Sequence, residues 1–424
     1  MVDLLRRWEK GRSFIADLLE KSRAETAFSG RDRSLITATV NGVIRRKKTL
    51  DWLIDHFSSG KPPAGSSIAR QILRLSIFHL IYLDALPPHA VLHQAGELSR
   101  RLLSSREGSY INGLLRNILR ERDALPLPSR EKRGEYLSVV HSHPRWLVDR
   151  WLELTPFDEV EELCRINNLA PPIFARCNLL RATPEGLEKE FRKEGIECSP
   201  HDTVPGVWRI KPGRDLSEIP AFRAGHFVIQ DTSALRPVDL LAPRPGEKIA
   251  DLCAAPGGKT SYIAQKMANS GCILAADASP ERIKKLAAAI ERLGIGNTVV
   301  RKLNLLEEER PGEDGGWDGI LLDVPCSNTG VLRRRVDARW RIKPDDICRL
   351  AGQGGRLLRA AAGLVRPGGR IIYSTCSLEP EENGEIVAAF LRDNADFSLE
   401  KEDSACPEEY GGDGFYAALL RRKE

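Results

Sequence analysis

The sequence predicts a multidomain chain: an all-α front domain, a small α+β linking subdomain, and an α/β domain built on a mostly parallel, doubly wound sheet. Three observations predict it. From Lys248 an apolar run leads into Asp251-Leu-Cys-Ala-Ala-Pro-Gly-Gly-Lys-Thr260, and a helical pattern follows over Ser261–Met267. Strand, Gly-Gly turn, helix is how a doubly wound sheet holds a nucleotide-like ligand at its carboxyl edge. From about residue 240 strand and helix patterns alternate. Before about residue 125 only helical periodicity is seen.

The 424 residues are enough for two or three domains. Hydrophobic residues make up 42% and charged residues 29%, which reads as soluble and globular. No apolar run reaches the ~18 residues that span a bilayer. The start, Met1-Val-Asp-Leu-Leu-Arg-Arg7, lacks the apolar stretch of a secretory signal. The protein is therefore expected in the cytoplasm, with no membrane partner. The nine cysteines contain no C-x-x-C pair, which argues against a disulfide framework and a zinc ribbon; no metal is expected. Residues 1–125 hold 21 Lys+Arg against 13 Asp+Glu, a balance of +8, while the remainder sums to −3. A basic front on a near-neutral body fits a polyanionic partner. The alternative is a solvated basic face.

Along the chain, Ser67–Asp84 carries Ile68, Ile72, Leu75, Phe78 and Leu80 at helical spacing. Pro87-Pro88 breaks it, and a second helix starts near His89. Arg45-Arg-Lys-Lys48 and Arg100-Arg101 are basic clusters. A Pro-containing linker covers 124–132, helix returns over 144–168, and a small mixed segment runs from Pro171 to about 225, with a helix start at Thr183-Pro184-Glu185. Expected strands in the last part are 248–253, 272–277, 298–303, 318–323 and 370–376, with 414–420 as a final one. Expected helices are 260–269, 279–293, 345–365 and 380–393. Arg366-Pro-Gly-Gly369 reads as the turn before the fifth strand.

Three ligand classes compete for the glycine loop. A P-loop needs a first glycine where Cys253 stands, so its phosphate nest is incomplete. The G-x-G-x-x-G of a dinucleotide loop is absent. S-adenosylmethionine has a ribose but no phosphates to cradle. Asp277, about 20 positions past the loop, is placed to reach ribose hydroxyls. The loop alone leaves these open.

The downstream cysteines narrow the choice. Asp323-Val-Pro-Cys-Ser-Asn-Thr-Gly330 follows one strand and Ser374-Thr-Cys-Ser377 another, both on the sheet edge of the loop. A lone cysteine is ordinarily a small buried hydrophobe. Two at strand ends, flanked by small hydroxyl residues, point to chemistry. All eight histidines, His56 through His226, precede the loop, so no Ser-His-Asp or Cys-His arrangement is local to this sheet. What remains is a thiolate beside Asp323 and Lys259.

The loop Ala255-Pro-Gly-Gly-Lys-Thr260, the Asp-x-Pro-Cys-Ser-x-Thr-Gly stretch and Tyr373-Ser-Thr-Cys-Ser-Leu-Glu-Pro-Glu-Glu-Asn383 together resemble the Sun family of RNA 5-methylcytosine methyltransferases. Asp32-Arg33 with Gly42-Val-Ile-Arg45, Leu75 through Ala90, and Tyr110-Ile-Asn-Gly-Leu-Leu-Arg-Asn-Ile-Leu119 resemble the NusB-like RNA-binding domain. The resemblance implies three parts: a NusB-like domain over 1–125, a linker and small α+β subdomain over 126–238, and a Rossmann-like methyltransferase domain over 239–424. It implies S-adenosylmethionine as cofactor and 16S ribosomal RNA, naked or partly assembled, as partner of a monomer. Methylation of cytosine C5 would pass through a covalent Cys–C6 intermediate. By the same resemblance Cys376 is the nucleophile, Cys326 assists product release, and Asp323 meets the N3/N4 edge of the base. Lys259 supplies positive potential for the thiolate. Cys253, Ala254, Ala255, Pro256, Gly257, Gly258 and Lys259 line the cofactor, Asp277 holds its ribose, and Arg282, Asn304 and Asp323 face the same pocket. Asn304 stands where the family usually has Asp. Val336 stands where proline is usual, which implies a changed loop over the active site. The alternatives are the same chemistry on tRNA or another RNA, a non-catalytic RNA-binding scaffold, and a P-loop nucleotidase.

Overall fold

The computed structural model describes the chain except for residues 12, 26–27, 84–85, 308–315 and 410. The expected helix end at Asp84 therefore lies outside the described residues. The chain divides into two compact units: residues 1–169 with 335–341, and residues 170–334 with 342–424.

The first unit is helical. Its centre is the helix Ile68–Tyr82, buried nearly all round, as the apolar spacing predicts. Ser67 caps it by accepting the Arg70 N–H. Arg74 on this helix is buried, and its guanidinium bonds both Asp51 oxygens at 2.8 Å and Glu9 Oε2 at 2.8 Å. Burial opposes the Asp51 charge, but the Arg74 contact outweighs it and holds the carboxyl at about 2. Gly42 packs where a Cβ would come within 2.1 Å of the Phe78 ring, so only glycine permits that approach. The expected helix over 144–168 is two, Arg145–Leu154 and Phe157–Ile166, interrupted at Pro156.

Val336 is 2% exposed and belongs to the apolar core of this helical unit, with Leu4, Ile44 and Leu50. Around it Ile15 N–H donates to Asp337 Oδ2 at 2.8 Å, and Trp340 Nε1 donates to Ile44 O at 2.8 Å. A β-branched apolar side chain is what a core position needs there.

The second unit holds two sheets. The smaller one contains β1 Ile173–Cys177, β2 Glu197–Pro200, β3 Val207–Lys211 and β4 Phe227–Ile229 in the order β2-β3-β1-β4, all antiparallel. Helix Pro184–Lys193 covers it, capped by Thr183. The larger sheet has β5 Lys248–Asp251, β6 Cys272–Asp277, β7 Thr298–Lys302, β8 Trp317–Asp323, β9 Val365–Thr375, β10 Phe397–Ala405 and β11 Phe415–Arg422, ordered β10-β11-β9-β8-β5-β6-β7. The five strands from β9 across to β7 run parallel, and β11 and β10 are antiparallel additions.

Both faces are covered. Ala250, Ile320, Leu322, Ile371 and Tyr373 pack toward helix Pro344–Ala362. Ile249, Leu321 and Ile372, one residue out of phase, pack toward helices Gly258–Lys266 and Pro280–Leu293. Near-continuous apolar strands follow from burial on two sides. The helices change face between β5 and β8, so the carboxyl ends of these strands frame the crevice where ligands of such sheets bind. Arg366–Gly369 does not form a separate turn: β9 begins at Val365, and its register against β8 shifts between Trp317 and Gly319, leaving the Pro-Gly-Gly as an irregularity inside the strand.

Candidate active site

The site forms on the carboxyl edge of the large sheet, from the loops after β5, β6, β8 and β9. After β5 the chain turns through Leu252–Gly257. The Ala254 and Ala255 side chains are buried in the core, Cys253 packs half-buried in the apolar cluster on the other face, and Pro256 is exposed. A ligand here meets mainly backbone. Gly257 has φ +103°, and a Cβ would lie 2.8 Å from Leu286 Cδ1. Glycine is needed both for that torsion and for close packing of the loop on helix Pro280–Leu293. Helix Gly258–Lys266 then starts with its N-terminus at the loop.

Asp277 ends β6. Its Oδ1 accepts the Ser279 N–H at 3.0 Å; its Oδ2 is buried without a hydrogen bond, with Arg282 Nη2 3.3 Å away. Arg282 also donates to Ala255 O at 2.5 Å, so it ties this carboxylate to the glycine loop. Asn304, after β7, turns its Oδ1 onto the Leu306 N–H at 3.2 Å in its own turn. That bond is local and does not bring Asn304 to the loop.

Asp323 ends β8. Lys259 Nζ lies 2.7 Å from its Oδ2, and Ser374 Oγ donates to its Oδ1 at 3.0 Å. Burial works against the Lys259 charge, but the Asp323 carboxylate overcomes it and raises the ammonium pKa. Asp251 lies beneath. Its Oδ2 accepts from Thr260 Oγ1 at 2.7 Å, while its Oδ1 is buried and unbonded. Burial pushes its carboxyl up to about 7.

The two cysteines meet. Cys326 Sγ and Cys376 Sγ are 3.3 Å apart, and the Cys376 thiol is 3.3 Å from Asn328 Oδ1 as donor. No disulfide joins them; Cys326 is buried and Cys376 half-buried. Asn328, at φ +63°, returns its Nδ2 to Cys326 O at 2.7 Å. The Cys376 contact, then burial, push the Cys326 thiol well above its ordinary range. The loops carrying the cysteines are knitted by Gly330 N–H to Cys376 O at 3.0 Å and Leu378 N–H to Thr329 Oγ1 at 2.9 Å.

The structure thus brings Cys326, Cys376, Asp323 and Lys259 to one edge with the loop Cys253–Gly258, Asp277 and Arg282. Sequence reasoning missed Asn328, Ser374 and Glu382, which orient them. The available signal was the repeated Cys-Ser pair: a serine follows each cysteine, and both serines bond Glu382. Among the described residues no group of three or more His, Cys, Asp or Glu could hold a metal ion, and no helix is long and apolar enough to cross a membrane.

The Asp277 Oδ2, buried and without a hydrogen bond, and the side-chain-free turn at Gly257 fit a ligand with ribose hydroxyls and no phosphate. Comparison with known proteins agrees. Residues 238–421 match the family described as 16S rRNA methyltransferase RsmB/F, residues 1–120 the NusB family, and residues 143–216 the ferredoxin-like domain of RsmF/B-like methyltransferases. The chain is 32% identical over 443 residues to the probable ribosomal RNA small subunit methyltransferase B of Bacillus subtilis, covering 100% of this chain and 98% of the relative. It is 33% identical to the ribosomal RNA small subunit methyltransferase B of Proteus mirabilis, covering 93% and 92%. The crystal structure of PH0851 superposes with a TM-score of 0.82 at 27% identity, covering 99% of this chain and 97% of that one. The small four-stranded sheet is the ferredoxin-like element, and the large sheet is the Rossmann-like methyltransferase core whose cofactor is S-adenosylmethionine. The chain belongs to the RsmB/F family of S-adenosylmethionine-dependent rRNA methyltransferases, with a NusB-like helical domain at its front.

Proposed function

We propose that the protein methylates C5 of a specific cytosine in 16S rRNA through a covalent intermediate. The observation that carries the reading is the pair of thiols 3.3 Å apart beside the Lys259–Asp323 ion pair. C5 of cytosine is a poor nucleophile. Addition of the Cys376 thiolate to C6 makes C4–C5 an enamine, and C5 becomes able to take a methyl group. Bound S-adenosylmethionine supplies that group as an electrophile. Removal of the C5 proton then sends its electron pair back into the ring and breaks the S–C6 bond, returning the Cys376 thiolate. Cys326, next to Cys376, assists this release. Asp323 meets the N3/N4 edge of the base, and Lys259 supplies positive potential for the thiolate.

For the cofactor, we assign its ribose to Asp277, with Arg282 setting the carboxylate against the loop. Cys253 through Lys259 line it mainly by backbone, and Asp323 borders it. Asn304, whose side chain bonds its own turn, has no contact among the described residues that supports a place in this pocket. The NusB-like front and its positive balance support RNA contact by that unit. The names of the relatives support ribosomal RNA as substrate.

The test is methylation of purified 16S rRNA, precursor 30S particles and tRNA side by side, followed by bisulfite mapping. A protected cytosine appearing only in 16S rRNA is the expected result. Methylation confined to tRNA moves the reading to that substrate, and modification that bisulfite does not register at any cytosine removes the C5 chemistry.

A further inference from the structure

Glu382 is a buried carboxylate that the reaction above does not use. It is 1% exposed, in the turn Pro380–Glu382 after β9. Its Oε1 accepts the Ser327 N–H at 2.8 Å. Its Oε2 accepts both the Ser327 hydroxyl and, at 2.5 Å, the Ser377 hydroxyl. The two serines are themselves 3.0 Å apart. Each follows a cysteine directly: Ser327 follows Cys326, and Ser377 follows Cys376. The turn carrying Glu382 is pinned in turn, because Tyr373 on β9, fully buried, donates its hydroxyl to Glu382 O at 2.6 Å.

We propose that Glu382 is a positioning residue for the reaction: one carboxylate, bonded to the residue after each cysteine, fixes the two thiols at the separation that release of the product requires. The inference rests on the assignment of Cys376 and Cys326 under the proposed function. The loops after β8 and β9 are joined by the Gly330–Cys376 and Leu378–Thr329 bonds, and Glu382 adds to these a tie on the residue next to each thiol, where a reacting geometry tolerates little drift. A carboxylate suits the task because it accepts several hydrogen bonds and donates none when ionised. Glutamine of the same size keeps one acceptor for the Ser327 N–H but sets an NH₂ where the two hydroxyls now donate, so both hydroxyls must turn to accept and the charge is lost. The charge also has a direction. The Cys376 contact and burial push the Cys326 thiol pKa up, and the Glu382 charge adds to them in the same direction, whereas Lys259 lies within Coulomb reach of Cys376.

The experiment uses the full-length protein, S-adenosylmethionine and a 16S rRNA transcript. Glu382→Gln and Glu382→Asp are compared with the parent, with Cys326→Ala and Cys376→Ala as controls. Rates are taken per folded molecule, counted by cofactor titration. The expected result for Glu382→Gln is a kcat lower by about 10- to 100-fold, with KM for RNA and Kd for the cofactor close to the parent values. An enzyme–RNA adduct should survive denaturing electrophoresis although both cysteines are present, and Glu382→Asp should recover part of the rate. Adduct at the parent level in Glu382→Gln overturns the proposal whatever the rate, because a purely structural glutamate lowers the folded fraction without trapping the product. If Glu382→Gln does not fold, Ser327→Ala, which removes one hydroxyl from the clamp, is read in the same way. Failure of the cysteine assignment is visible separately: it appears as methylation by Cys376→Ala or as no adduct from Cys326→Ala.

Discussion

Cys376 donates its thiol toward Asn328 Oδ1 at 3.3 Å, and the Asn328 amide returns to the carbonyl of Cys326. One side chain thus touches both cysteine residues, yet the two thiols differ, Cys326 being the more buried. Attack comes first in the proposed reaction and elimination last. Cys376→Ala should form no adduct and transfer no methyl group. Cys326→Ala should transfer the methyl group and stall as an enzyme–RNA adduct. Incubation with labelled cofactor and counting of adduct and product decides it; adduct from Cys376→Ala and none from Cys326→Ala would exchange the roles. Either change should cost only about 1 kcal/mol of stability, since the side chain is small.

Asp277 Oδ2 is buried and has no hydrogen bond within the protein. Asp277→Ala should remove charge-assisted hydrogen bonds of about 1.5–3 kcal/mol, weakening cofactor binding roughly 10- to 100-fold. Calorimetry on the folded variant measures this. An unchanged Kd would remove the ribose assignment.

The Lys259–Asp323 pair is partly screened, with side chains 18% and 33% exposed. Lys259→Met takes the cation from the carboxylate and leaves it the Ser374 hydroxyl as donor. The stability loss is expected at about 1–2 kcal/mol, below that of a fully buried pair. Methyl transfer should fall much further than that. Urea unfolding beside single-turnover kinetics separates the two effects, and a rate near the parent's would exclude Lys259 from the chemistry.

Asp251 gives a pH signature. Its folded-state pKa is raised to about 7 against an ordinary 3.8, chiefly by burial. Between these values the folded protein holds a proton that the unfolded chain has lost, so stability falls as pH rises through that window and levels off above it. Asp251→Asn, which keeps an oxygen for Thr260, should flatten that slope. Unfolding free energies at about pH 5 and about pH 8, near the two ends of the window, test it. The difference between the two should shrink in the variant, and an identical difference counts against the raised pKa.

In the front unit Arg100 and Arg116 line a cleft of about 710 Å³ together with His89, His93 and Asn112. If the unit holds RNA through its phosphates, affinity should fall steeply with salt. Replacing both arginines by glutamine should reduce the salt slope by about one for each phosphate no longer neutralised. It should raise KM for RNA while leaving cofactor Kd alone. A salt slope equal to the parent's would place the RNA elsewhere.

The glycine loop, both cysteine motifs and the alternating strands are legible in the sequence because each is local: a few adjacent residues state a turn, a strand end or a face. Strand β10 is not. Its sequence, Phe397-Ser-Leu-Glu-Lys-Glu-Asp-Ser-Ala405, is mostly exposed and pairs only with β11 at the sheet edge. A charged edge strand carries no apolar alternation and protects the sheet from pairing further. Glu382 is hidden for the opposite reason. It stands among Glu379, Glu381 and Asn383, and nothing in that polar run tells which carboxylate is buried against two serines. The place of Val336 is set by residues 1–169, which lie far from it along the chain, and pattern reading has no purchase over such a separation.

Val336 has one more consequence, for the order in which the protein is made. The helical unit is encoded first, yet its apolar core includes a residue that leaves the ribosome only after residues 170–334 have been synthesised. As the chain emerges, the part of that core which Val336 covers stays open until the late segment returns, and such long-range closure slows folding and lengthens exposure to aggregation. Nascent chains halted before residue 335 should therefore present a front unit that is loose and chaperone-bound, and release of the next few residues should be what completes it.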